Sequence, residues 1–364
     1  MEIKAAVLFE KSGLFSIEQL EMSEPNDDEV VVRIVGAGIC HTDLGARDQH
    51  LPIPLPTVLG HEGSGVVEKV GARVKKVVPG DHVVMSYGSC GTCPLCKSGN
   101  DSWCMNFFPL NFSGTRADGT TTLRKGNQVV HGSFFSQSSF ASFSLANERS
   151  VVKVSKEVPL EILGPLGCGV QTGTGAVMNT LRPRPGASIA VFGVGTVGMS
   201  AVMGAVICGC TTIIAVDLHD NRLEMTREFG ATHTINAGEK DPVEAILEIT
   251  GEGADFTLEC VGDPKVLRQS VDALTRGGVC GLAGAAPPGV EVSLDMQILL
   301  NARTVRGIIE GDAVSDLFIP RLIELYRQGR LPFDRMIQFY PFDDINRAVE
   351  DMEKGRVVKP VLKF

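Results

Sequence analysis

Four cysteines lie close together in one loop of this 364-residue sequence, at Cys90, Cys93, Cys96 and Cys104. Glycine and proline separate them, and these residues let a loop turn sharply enough to bring sulfur atoms together. Four thiolates can surround Zn²⁺ as a tetrahedron with Zn–S distances of about 2.3 Å. Since no further donor is nearby, the spacing predicts a closed, structural zinc site in a lobe at 86–110. Disulfides, free thiols and a nucleic-acid-binding zinc ribbon are the alternatives.

A second set of potential metal ligands is dispersed along the chain. Cys40 lies in GICHTD, His61 and Glu62 lie in LGHEGSG, and Cys168 lies in GPLGCGVQTG. Each segment is a glycine-rich turn where side chains can converge. Two thiolates and one imidazole leave a fourth position open, as in a catalytic zinc site. Taken singly, such a cysteine is more often an inert core residue and such a histidine a hydrogen-bonded structural one.

A glycine-rich turn between two apolar runs has the pattern of a dinucleotide-binding loop. The turn consists of Gly193, Val194, Gly195, Thr196, Val197 and Gly198. It follows an apolar run at 189–192, and the next apolar run ends at Asp217, where an acid can accept the hydroxyl groups of the adenosine ribose. An acid at this position favours NAD over NADP, because it repels a 2′-phosphate. The alternative is a glycine-rich turn without a ligand.

Short β-like runs between glycine and proline turns fill residues 1 to 160 and predict a partly closed antiparallel barrel. The clearest predicted strands are Ala5–Phe9, Glu29–Val35, Gly65–Val70, His82–Met85 and Ser139–Leu145. The loops at 43–59 and 86–138 are long enough to require a functional or metal-braced explanation.

From residue 161 onwards, apolar strands alternate with helical segments, which predicts a doubly wound parallel sheet. The predicted strands are 188–192, 212–217, 232–235, 255–261 and 278–283, with an edge strand at Thr304–Ile308. The predicted helices are 170–180, 196–208, 220–229, 241–250 and 264–275. Two further helices, Ser315–Gln328 and Asp343–Lys354, and a strand, Val357–Lys363, are expected to return to the first domain.

The composition excludes several classes of partner. The net charge is −9, and no run of Lys or Arg stands out, which disfavours nucleic acid or an anionic membrane as partner. Glycines at 204 and 209 interrupt the most apolar stretch, 199–216, so a helix, turn and strand fit it better than a membrane span. No secretory signal is recognisable at the N-terminus, and we therefore expect a cytoplasmic protein with reduced thiols.

Together these motifs resemble the zinc-dependent medium-chain alcohol dehydrogenases over essentially the whole chain. The resemblance is carried by Gly60-His61-Glu62-x2-Gly65-x5-Gly71, the four-cysteine lobe, Cys168, and the glycine turn followed by Asp217. Within that family the chain is most similar to the aryl-alcohol (benzyl alcohol) dehydrogenases, through CHTD at 40–43, NFSG at 111–114, FFSQSSFA at 134–141 and GPLGCGVQTG.

The resemblance implies an α/β fold with two domains. A GroES-like, mostly antiparallel β catalytic domain would be combined with a doubly wound parallel-sheet (Rossmann) nucleotide-binding domain. We expect the first part of the catalytic domain at 1–169, the NAD-binding domain at 170–308, and a return to the catalytic domain at 309–364. A homo-oligomer is implied, with a tetramer favoured over a dimer.

The resemblance also implies roles at the metal sites, with two zinc ions per chain. Cys40, His61 and Cys168 would hold the catalytic zinc, while Cys90, Cys93, Cys96 and Cys104 would hold the structural one. Glu62 would be a nearby acid able to exchange onto the catalytic metal. Asp43 would orient His61. Thr42 would hydrogen-bond the substrate oxygen and begin a proton relay.

Cofactor contacts follow from the same resemblance. His41 and Lys359 would approach the pyrophosphate, Thr172 the nicotinamide, and Arg222 the adenosine ribose beside Asp217. Solvation at the surface is the alternative for Arg222 and Lys359.

One position departs from the family pattern. Relatives often carry a histidine five residues after the first zinc cysteine, at the end of the proton relay, but this chain has Gly45 there. The relay is then expected to end at His50, at His41 or directly in water.

The implied function is reversible, NAD-dependent oxidation of a primary alcohol to its aldehyde by zinc-assisted hydride transfer. An aromatic or allylic alcohol is expected, because the loops near the cleft are apolar and aromatic, and Leu51 and Phe135 are the predicted pocket residues. The same machinery would serve a general primary alcohol, polyol, threonine or glutathione-adduct dehydrogenase. A zincless binding protein of the same fold is a remote alternative.

Overall fold

The computed structural model describes residues 1–364. Its strands are β1 (Glu2–Leu8), β2 (Ser16–Met22), β3 (Glu29–Gly38), β4 (Thr57–Val58), β5 (Glu62–Val70), β6 (His82–Met85), β7 (Leu123–Lys125), β8 (Gln128–Val130), β9 (Phe143–Asn147), β10 (Val151–Lys153), β11 (Ser188–Phe192), β12 (Thr212–Asp217), β13 (His233–Asn236), β14 (Ala254–Glu259), β15 (Leu274–Leu282), β16 (Thr304–Gly307), β17 (Ile337–Pro341) and β18 (Lys359–Lys363).

The α-helices are α1 (His41–Arg47), α2 (Pro94–Lys97), α3 (Phe107–Phe112), α4 (Gly169–Gly175), α5 (Thr196–Cys208), α6 (Asp220–Glu228), α7 (Pro242–Thr250), α8 (Pro264–Asp272), α9 (Met296–Leu300), α10 (Ser315–Arg327) and α11 (Ile345–Glu353). None of the helices is long and apolar enough to cross a membrane.

The chain divides into two compact units. The first comprises Met1–Cys168, Val314–Glu324 and Asp334–Phe364, and the second comprises Gly169–Ala313 and Leu325–Phe333.

Two sheets form the first unit. One has the order β4-β1-β2-β7-β8, and the other has the order β10-β6-β5-β3-β18-β17, with β9 also paired to β3. Neighbouring strands are antiparallel except β17 and β18. The longest strand of this unit, β3, therefore pairs with three others and forms the centre on which the metal-ligand segments are arranged.

The second unit is built on one parallel sheet with the order β13-β12-β11-β14-β15-β16. Numbered from the first strand of the unit, this order is 3-2-1-4-5-6, the doubly wound arrangement. Its central strand, β11, has the sequence SIAVF and is buried over Ile189–Phe192, as expected for a strand covered on both faces. The predicted combination of a mostly antiparallel β domain with a doubly wound parallel sheet is confirmed.

Several boundaries differ from the sequence predictions. Residues 309–313 and 325–333 group with the second unit, although we expected them in the return to the first. The predicted helix 170–180 is α4 followed by a π-helix at Ala176–Leu181. The predicted strand Ser139–Leu145 is shifted to β9, because residues 139 and 140 bond instead to the carbonyls of Gly60 and Leu59.

Candidate active site

Pairing between β3 and β5 brings together ligand segments that are distant in sequence. Gly38, near the end of β3, lies opposite Glu62 at the start of β5. Cys40 follows the first of these residues and His61 precedes the second, so both side chains lie at the same end of the strand pair. The carboxylate of Glu62 occupies the space that a Cβ on Gly38 would fill, which explains the need for glycine there.

Cys168 reaches this position from a separate turn, a 3₁₀ helix at Gly164–Gly167. Added Cβ atoms would collide with the carbonyl of Glu62 at Gly164 and with the carbonyl of Met85 at Gly167. The two glycines therefore allow the turn to lie flush against β5 and β6. This close packing places Cys168 next to Cys40 and His61.

The four side chains predicted around the catalytic metal converge. One ligand atom from each of Cys40, His61, Glu62 and Cys168 lies within 4.8 Å of all the others. The Nε2 of His61 is buried and has no hydrogen-bond partner, an arrangement that costs free energy unless a further group binds there. Two thiols, one available imidazole nitrogen and a carboxylate are all donor types that bind zinc, so the residues present fit a zinc ion.

Asp43, which we expected to orient His61, bonds to both of the segments that carry Cys40 and His61. Its Oδ1 accepts the Nδ1–H of His61 at 2.9 Å and the N–H of Gly60 at 3.0 Å. Its Oδ2 accepts the N–H of Cys40 at 2.9 Å. The bond to Nδ1 fixes the histidine tautomer that leaves the Nε2 lone pair available to a metal. One buried carboxylate thus holds the two ligand segments and the ring.

Lys359 differs from its predicted role. Its side chain is only 1% exposed. The ammonium donates to both carboxylate oxygens of Glu62, at 2.7 and 2.9 Å, and to the carbonyl of Ile39 at 3.0 Å. All three of its N–H donors are used within the first unit, which does not match the predicted contact with the cofactor pyrophosphate. Lys359 is instead the ion-pair partner of Glu62, the acid in the candidate metal cluster.

Electrostatic effects favour thiolate and cation binding in this cluster. A hydrogen bond with Cys168 is the main cause that holds the pKa of the Cys40 thiol well below its usual value, although burial opposes it. Burial is the largest single effect on Lys359 and opposes its charged form, but the Glu62 carboxylate together with Cys40 and Cys168 raises the pKa of Lys359. A low thiol pKa makes Cys40 a ready metal ligand at neutral pH.

Thr42 and His41 lie in the first turn of α1, directly after Cys40. The Oγ1 of Thr42 is 3.7 Å from the Sγ of Cys40, so its hydroxyl is next to the metal ligands, as a proton relay requires. His41 is exposed at the surface of the unit. The predicted relay positions are therefore a partly buried hydroxyl and an exposed imidazole one residue apart.

The four lobe cysteines also converge. The sulfur atoms of Cys90, Cys93, Cys96 and Cys104 all lie within 4.8 Å of one another. Two of the sulfur–sulfur separations, 4.0 Å for Cys90–Cys96 and 3.5 Å for Cys93–Cys96, bracket the edge of about 3.8 Å in a tetrahedron with Zn–S bonds of about 2.3 Å. The geometry fits a closed metal site without an open position.

The environment of these thiols explains why a cation is needed. Hydrogen bonds from Thr92 are the largest cause that lowers the pKa of Cys90 to about 5, against the effect of burial. Burial raises the pKa values of Cys96 and Cys104. Four adjacent thiolates repel one another and resist desolvation, so all four ionise together only around a cation.

The glycine turn of the second unit has the geometry expected of a phosphate-binding loop. Gly193 has φ +82°, a left-handed value that disfavours other residues. A Cβ on Gly195 would have no atom within 4 Å, which leaves its backbone accessible to a ligand. A Cβ on Gly198 would collide with the carbonyl of Gly193, so this glycine lets α5 pack closely on the turn. Thr196 and Val197 begin α5, at the helix end that attracts phosphate.

Asp217 ends β12 and faces this turn. Its carboxylate accepts the N–H groups of Val194, Leu218 and His219 at 2.8, 2.8 and 3.0 Å. Arg222 lies beside it, with Nη1 4.0 Å from the Oδ2 of Asp217, as predicted. The structure therefore brings together the glycine turn, the acid and the arginine that the sequence analysis assigned to the adenosine end of the cofactor.

Thr172 is buried in α4, and its neighbour is an acid that belongs to none of the sequence motifs. The Oγ1 of Thr172 lies 3.4 Å from the Oε2 of Glu310, which also accepts the Nε2–H of Gln171 at 3.1 Å. No sequence pattern links position 310 with 172, since the contact depends on how the 3₁₀ turn that follows β16 packs against α4.

Comparison with known proteins agrees with these sites. Residues 26–156 match the model of an alcohol dehydrogenase GroES-like domain, and residues 196–326 match that of a zinc-binding dehydrogenase. Geraniol dehydrogenase of Castellaniella defragrans (strain DSM 12143 / CCUG 39792 / 65Phen) is 45% identical over 99% of this chain and 97% of its own.

The chain belongs to the zinc-dependent medium-chain alcohol dehydrogenase family. Solved structures agree with this assignment. Benzyl alcohol dehydrogenase from Acinetobacter calcoaceticus superposes with a TM-score of 0.97 at 47% identity and covers 100% of this chain and 99% of its own. An alcohol dehydrogenase zinc-binding domain protein from Burkholderia ambifaria has a TM-score of 0.98 at 53% identity, with coverage of 100% and 99%.

The two predicted pocket residues of this alcohol dehydrogenase have different surroundings. Leu51 lies over α1, where its Cδ1 would be 3.6 Å from a Cβ on Gly45. Phe135 is 4% exposed, and its ring stacks on the imidazole of His61 with centroids 4.6 Å apart and an interplanar angle of 28°. Phe135 is thus a buried neighbour of the candidate metal ligand His61, packed in an aromatic group with Phe107, Phe112 and Phe134.

Proposed function

We propose that this enzyme oxidises aromatic or allylic primary alcohols to their aldehydes with NAD, and catalyses the reverse reduction. The aromatic group beside the metal ligands carries the proposal, because Phe135 stacks directly on His61 and Phe134 meets the same ring edge-on at 5.5 Å. Two relatives at 45% and 47% identity bear the names geraniol and benzyl alcohol dehydrogenase. Geraniol is an allylic and benzyl alcohol an aromatic primary alcohol.

In this proposal, Cys40, His61 and Cys168 hold the catalytic zinc. Zinc, when bound, acts as a Lewis acid that polarises the substrate oxygen and eases loss of the alcohol proton near neutral pH. Asp43 keeps the imidazole in the required tautomer through its 2.9 Å hydrogen bond. Glu62, held by Lys359, provides an acid that can exchange towards the metal. The four lobe cysteines hold a second, structural zinc.

Proton handling is assigned to Thr42. Its hydroxyl lies beside Cys40, and a hydroxyl can accept the alcohol proton while it passes its own onward. Gly45 places no side chain further along α1, so the proton continues to His41, His50 or water. His41 and His50 are both exposed, which suits the last group of a relay.

NAD is the proposed cofactor, and it accepts the hydride when bound. The glycine turn and the first turn of α5 are proposed to receive its pyrophosphate, and Asp217 the adenosine ribose hydroxyls, with Thr172 at the nicotinamide. The Asp217 carboxylate, only 8% exposed, would repel the 2′-phosphate of NADP. We further propose that the enzyme works in the cytoplasm as a homotetramer, without nucleic-acid or membrane partners.

A substrate panel tests the proposal. An aromatic ring buries several more carbons than a methyl group, at about 0.8 kcal/mol each. If about 2.7 kcal/mol of this gain is realised in the transition state, kcat/KM for benzyl alcohol exceeds that for ethanol by about 100-fold. The panel should comprise benzyl alcohol, geraniol, butanol, ethanol, sorbitol, threonine and the glutathione–formaldehyde adduct, with NAD and NADP, and zinc content measured on the same sample.

If ethanol or sorbitol is turned over as efficiently as benzyl alcohol, the substrate assignment is wrong, while the family assignment is unaffected. Leu51→Ala provides a probe of the pocket, and should lower kcat/KM for benzyl alcohol more than for butanol. Leu14→Ala is its control, since Leu14 is 79% exposed and should leave both substrates unaffected.

A further inference from the structure

The backbone at residues 133–140, here called the 133–140 segment, is strained. Four residues other than glycine have left-handed φ values, namely Ser133 at 59°, Phe135 at 50°, Ser136 at 55° and Ser138 at 58°. For a bulky residue such as Phe135 this conformation is an outlier. It persists only where the surroundings over-determine it, and such positions cluster at functional sites.

The segment runs along the backbone that carries His61. The N–H groups of Ser139 and Phe140 donate to the carbonyls of Gly60 and Leu59 at 2.9 and 3.0 Å. The hydroxyl of Ser138 donates to the carbonyl of Val58 at 2.7 Å. The residues immediately before His61 are thus held over three consecutive positions.

Gln137 continues this contact to His61 itself. It is 1% exposed. Its Nε2 donates to the carbonyl of His61 at 2.9 Å and to the carbonyl of Ser86 at 3.3 Å, while its Oε1 accepts the N–H of Gly63 at 3.1 Å. The two carbonyl partners determine which end of the amide is nitrogen. One buried side chain therefore fixes the backbone on both sides of Glu62.

The ring of His61 is held by the same segment. Phe135 stacks on one face at 4.6 Å, and Phe134 meets the ring edge-on at 5.5 Å and 86°. Asp43 fixes the Nδ1 side of the ring. With backbone, plane and tautomer all held, Nε2 is directed towards the sulfurs of Cys40 and Cys168.

We propose that Gln137 and Phe135 are positioning residues for His61, which fix its backbone and its ring plane so that the metal site is organised before metal binds. The proposal rests on the metal-ligand set of the proposed function. Preorganisation lowers the cost of ordering the ligands, so outer partners typically change metal affinity by about 10- to 100-fold. The left-handed backbone lies in the same segment that places both side chains on one histidine.

The test uses the full-length protein with Co²⁺ in place of zinc, because the two proposed sites differ in their number of thiolates and hence in their absorption. Gln137→Met keeps the volume and removes the amide hydrogen bonds. We expect Co²⁺ affinity at the two-thiolate site to fall about tenfold, with a changed ligand-field spectrum and an unchanged four-thiolate site. Phe135→Leu should weaken that site about threefold, since ring stacking contributes less than the amide bonds.

Asn346→Leu is the matched control. Its amide, like that of Gln137, accepts a backbone N–H and donates to a backbone carbonyl; here both belong to Phe15, at 2.9 Å each. It should lower the melting temperature without changing Co²⁺ affinity or the spectrum. If Gln137→Met does not fold, Phe135→Leu carries the test.

Unchanged affinity and spectrum in the folded variants would overturn the proposal, as would an equal loss of Co²⁺ affinity in Asn346→Leu. Cys168→Ser separates this failure from that of the ligand set. If Cys168→Ser binds two metal ions per chain with wild-type spectra, the ligand assignment itself is wrong. If it loses one ion while Gln137→Met and Phe135→Leu behave like wild type, only the positioning role fails.

Discussion

The two metal-ligand clusters of the first unit are built in opposite ways. The lobe cysteines lie between residues 90 and 104, and their sulfurs accept backbone N–H groups from within the lobe, as in Cys93 N–H to Cys90 Sγ at 3.3 Å. The other cluster takes its ligands from residues 40 to 168 and is held by strand pairing, by Asp43 and by the Glu62–Lys359 ion pair.

This difference indicates which cluster needs its metal in order to fold. Short loops such as the lobe have few buried apolar contacts of their own, so metal binding supplies folding free energy there. The dispersed cluster lies where three strands already meet, and its ligand positions are set by the sheet. Its metal is therefore expected to contribute mainly to catalysis.

The largest expected contrast is between Cys93→Ala and Cys168→Ala. Cys93→Ala should give aggregated or unfolded protein, because three thiolates no longer close the lobe. Cys168→Ala should give folded protein whose turnover is lower by at least about 1,000-fold, since Lewis-acid catalysis is lost. Soluble yield, circular dichroism, elemental analysis and kcat check both variants.

Cys208→Ala is the control for these substitutions, because Cys208 belongs to neither cluster. A stable, active Cys93→Ala protein, or one zinc ion or none per chain in the unmutated active enzyme, would contradict the contrast.

Lys359→Met tests how far the dispersed cluster depends on its ion pair. Removing one partner leaves the carboxylate of Glu62 buried and uncompensated, and we expect the free energy of unfolding to fall by about 3–5 kcal/mol. Denaturant titration measures this change. Lys363→Met on the same strand is the control, since Lys363 is 47% exposed and 3.6 Å from Glu161. If both substitutions lower the free energy of unfolding equally, the buried ion pair contributes no more to stability than the exposed one.

Asp43→Asn tests whether the dispersed cluster also depends on the carboxylate that bonds to its candidate ligand His61. An amide in place of the carboxylate removes the charge-assisted bond to His61 Nδ1 and the preference for its tautomer. Metal affinity or kcat should fall by about 10- to 100-fold while the lobe metal is retained. Asp48→Asn, on the carboxylate that pairs with Arg47 at 2.8 Å, should leave metal content at two ions per chain. Loss of the lobe metal instead would be evidence against separate roles.

The glycine turn is a local motif like the lobe, but the acid that faces it, Asp217, lies at the end of the next strand. Asp217→Asn tests the role of this acid in the choice of cofactor. Asparagine keeps one oxygen for the backbone N–H groups and removes the charge. The unmutated enzyme should prefer NAD over NADP by at least about tenfold, or ~1.4 kcal/mol, and the variant should narrow that ratio. Asp220→Asn in the first turn of α6 serves as control. Equal kcat/KM for the two cofactors in the unmutated enzyme would refute the assignment.

The smallest effect is expected at Gly45. A Cβ there would make only ordinary contacts with Leu51, at 3.6 and 3.8 Å, so Gly45→His can be accommodated near its backbone. Turnover should rise by no more than about threefold, or the pH profile should shift, where proton release limits alcohol oxidation. Gly45→Ala is the control. Single-turnover pH profiles that do not change in the folded variant would argue against a relay ending near this position.

Much of the fold follows from sequence periodicity alone. The predicted strands 188–192 and 212–217 and the helix 196–208 agree with β11, β12 and α5 to the residue. Buried parallel strands are continuous apolar runs, and the intervening glycines mark both turns, so the local signal is strong. The lobe was equally predictable, since its ligands are close enough in sequence for spacing to imply geometry.

Non-local contacts lacked such a signal. The sequence contains Lys359 and Glu62 almost 300 residues apart, and only the pairing of β18 with β3 and of β3 with β5 makes them an ion pair. The family resemblance predicts a cofactor contact for Lys359 instead, because it carries no information on this pairing. The role of Gln137 has no sequence signal for the same reason, because nothing in FFSQSSFA indicates that this amide reaches the carbonyl of His61.

The sequence by itself determined which chemistry is available: two sets of potential metal ligands, a glycine turn of the kind that binds dinucleotides, and an acid after the second strand. Each of these depends on residue type and short spacing, which constrain geometry locally. The tertiary structure alone decided how the dispersed ligands are held, because side-chain direction across a sheet depends on strand register and on which strands are neighbours. Because of that register, Asp43 and Gln137 bond to His61, and Lys359 bonds to the carboxylate of Glu62.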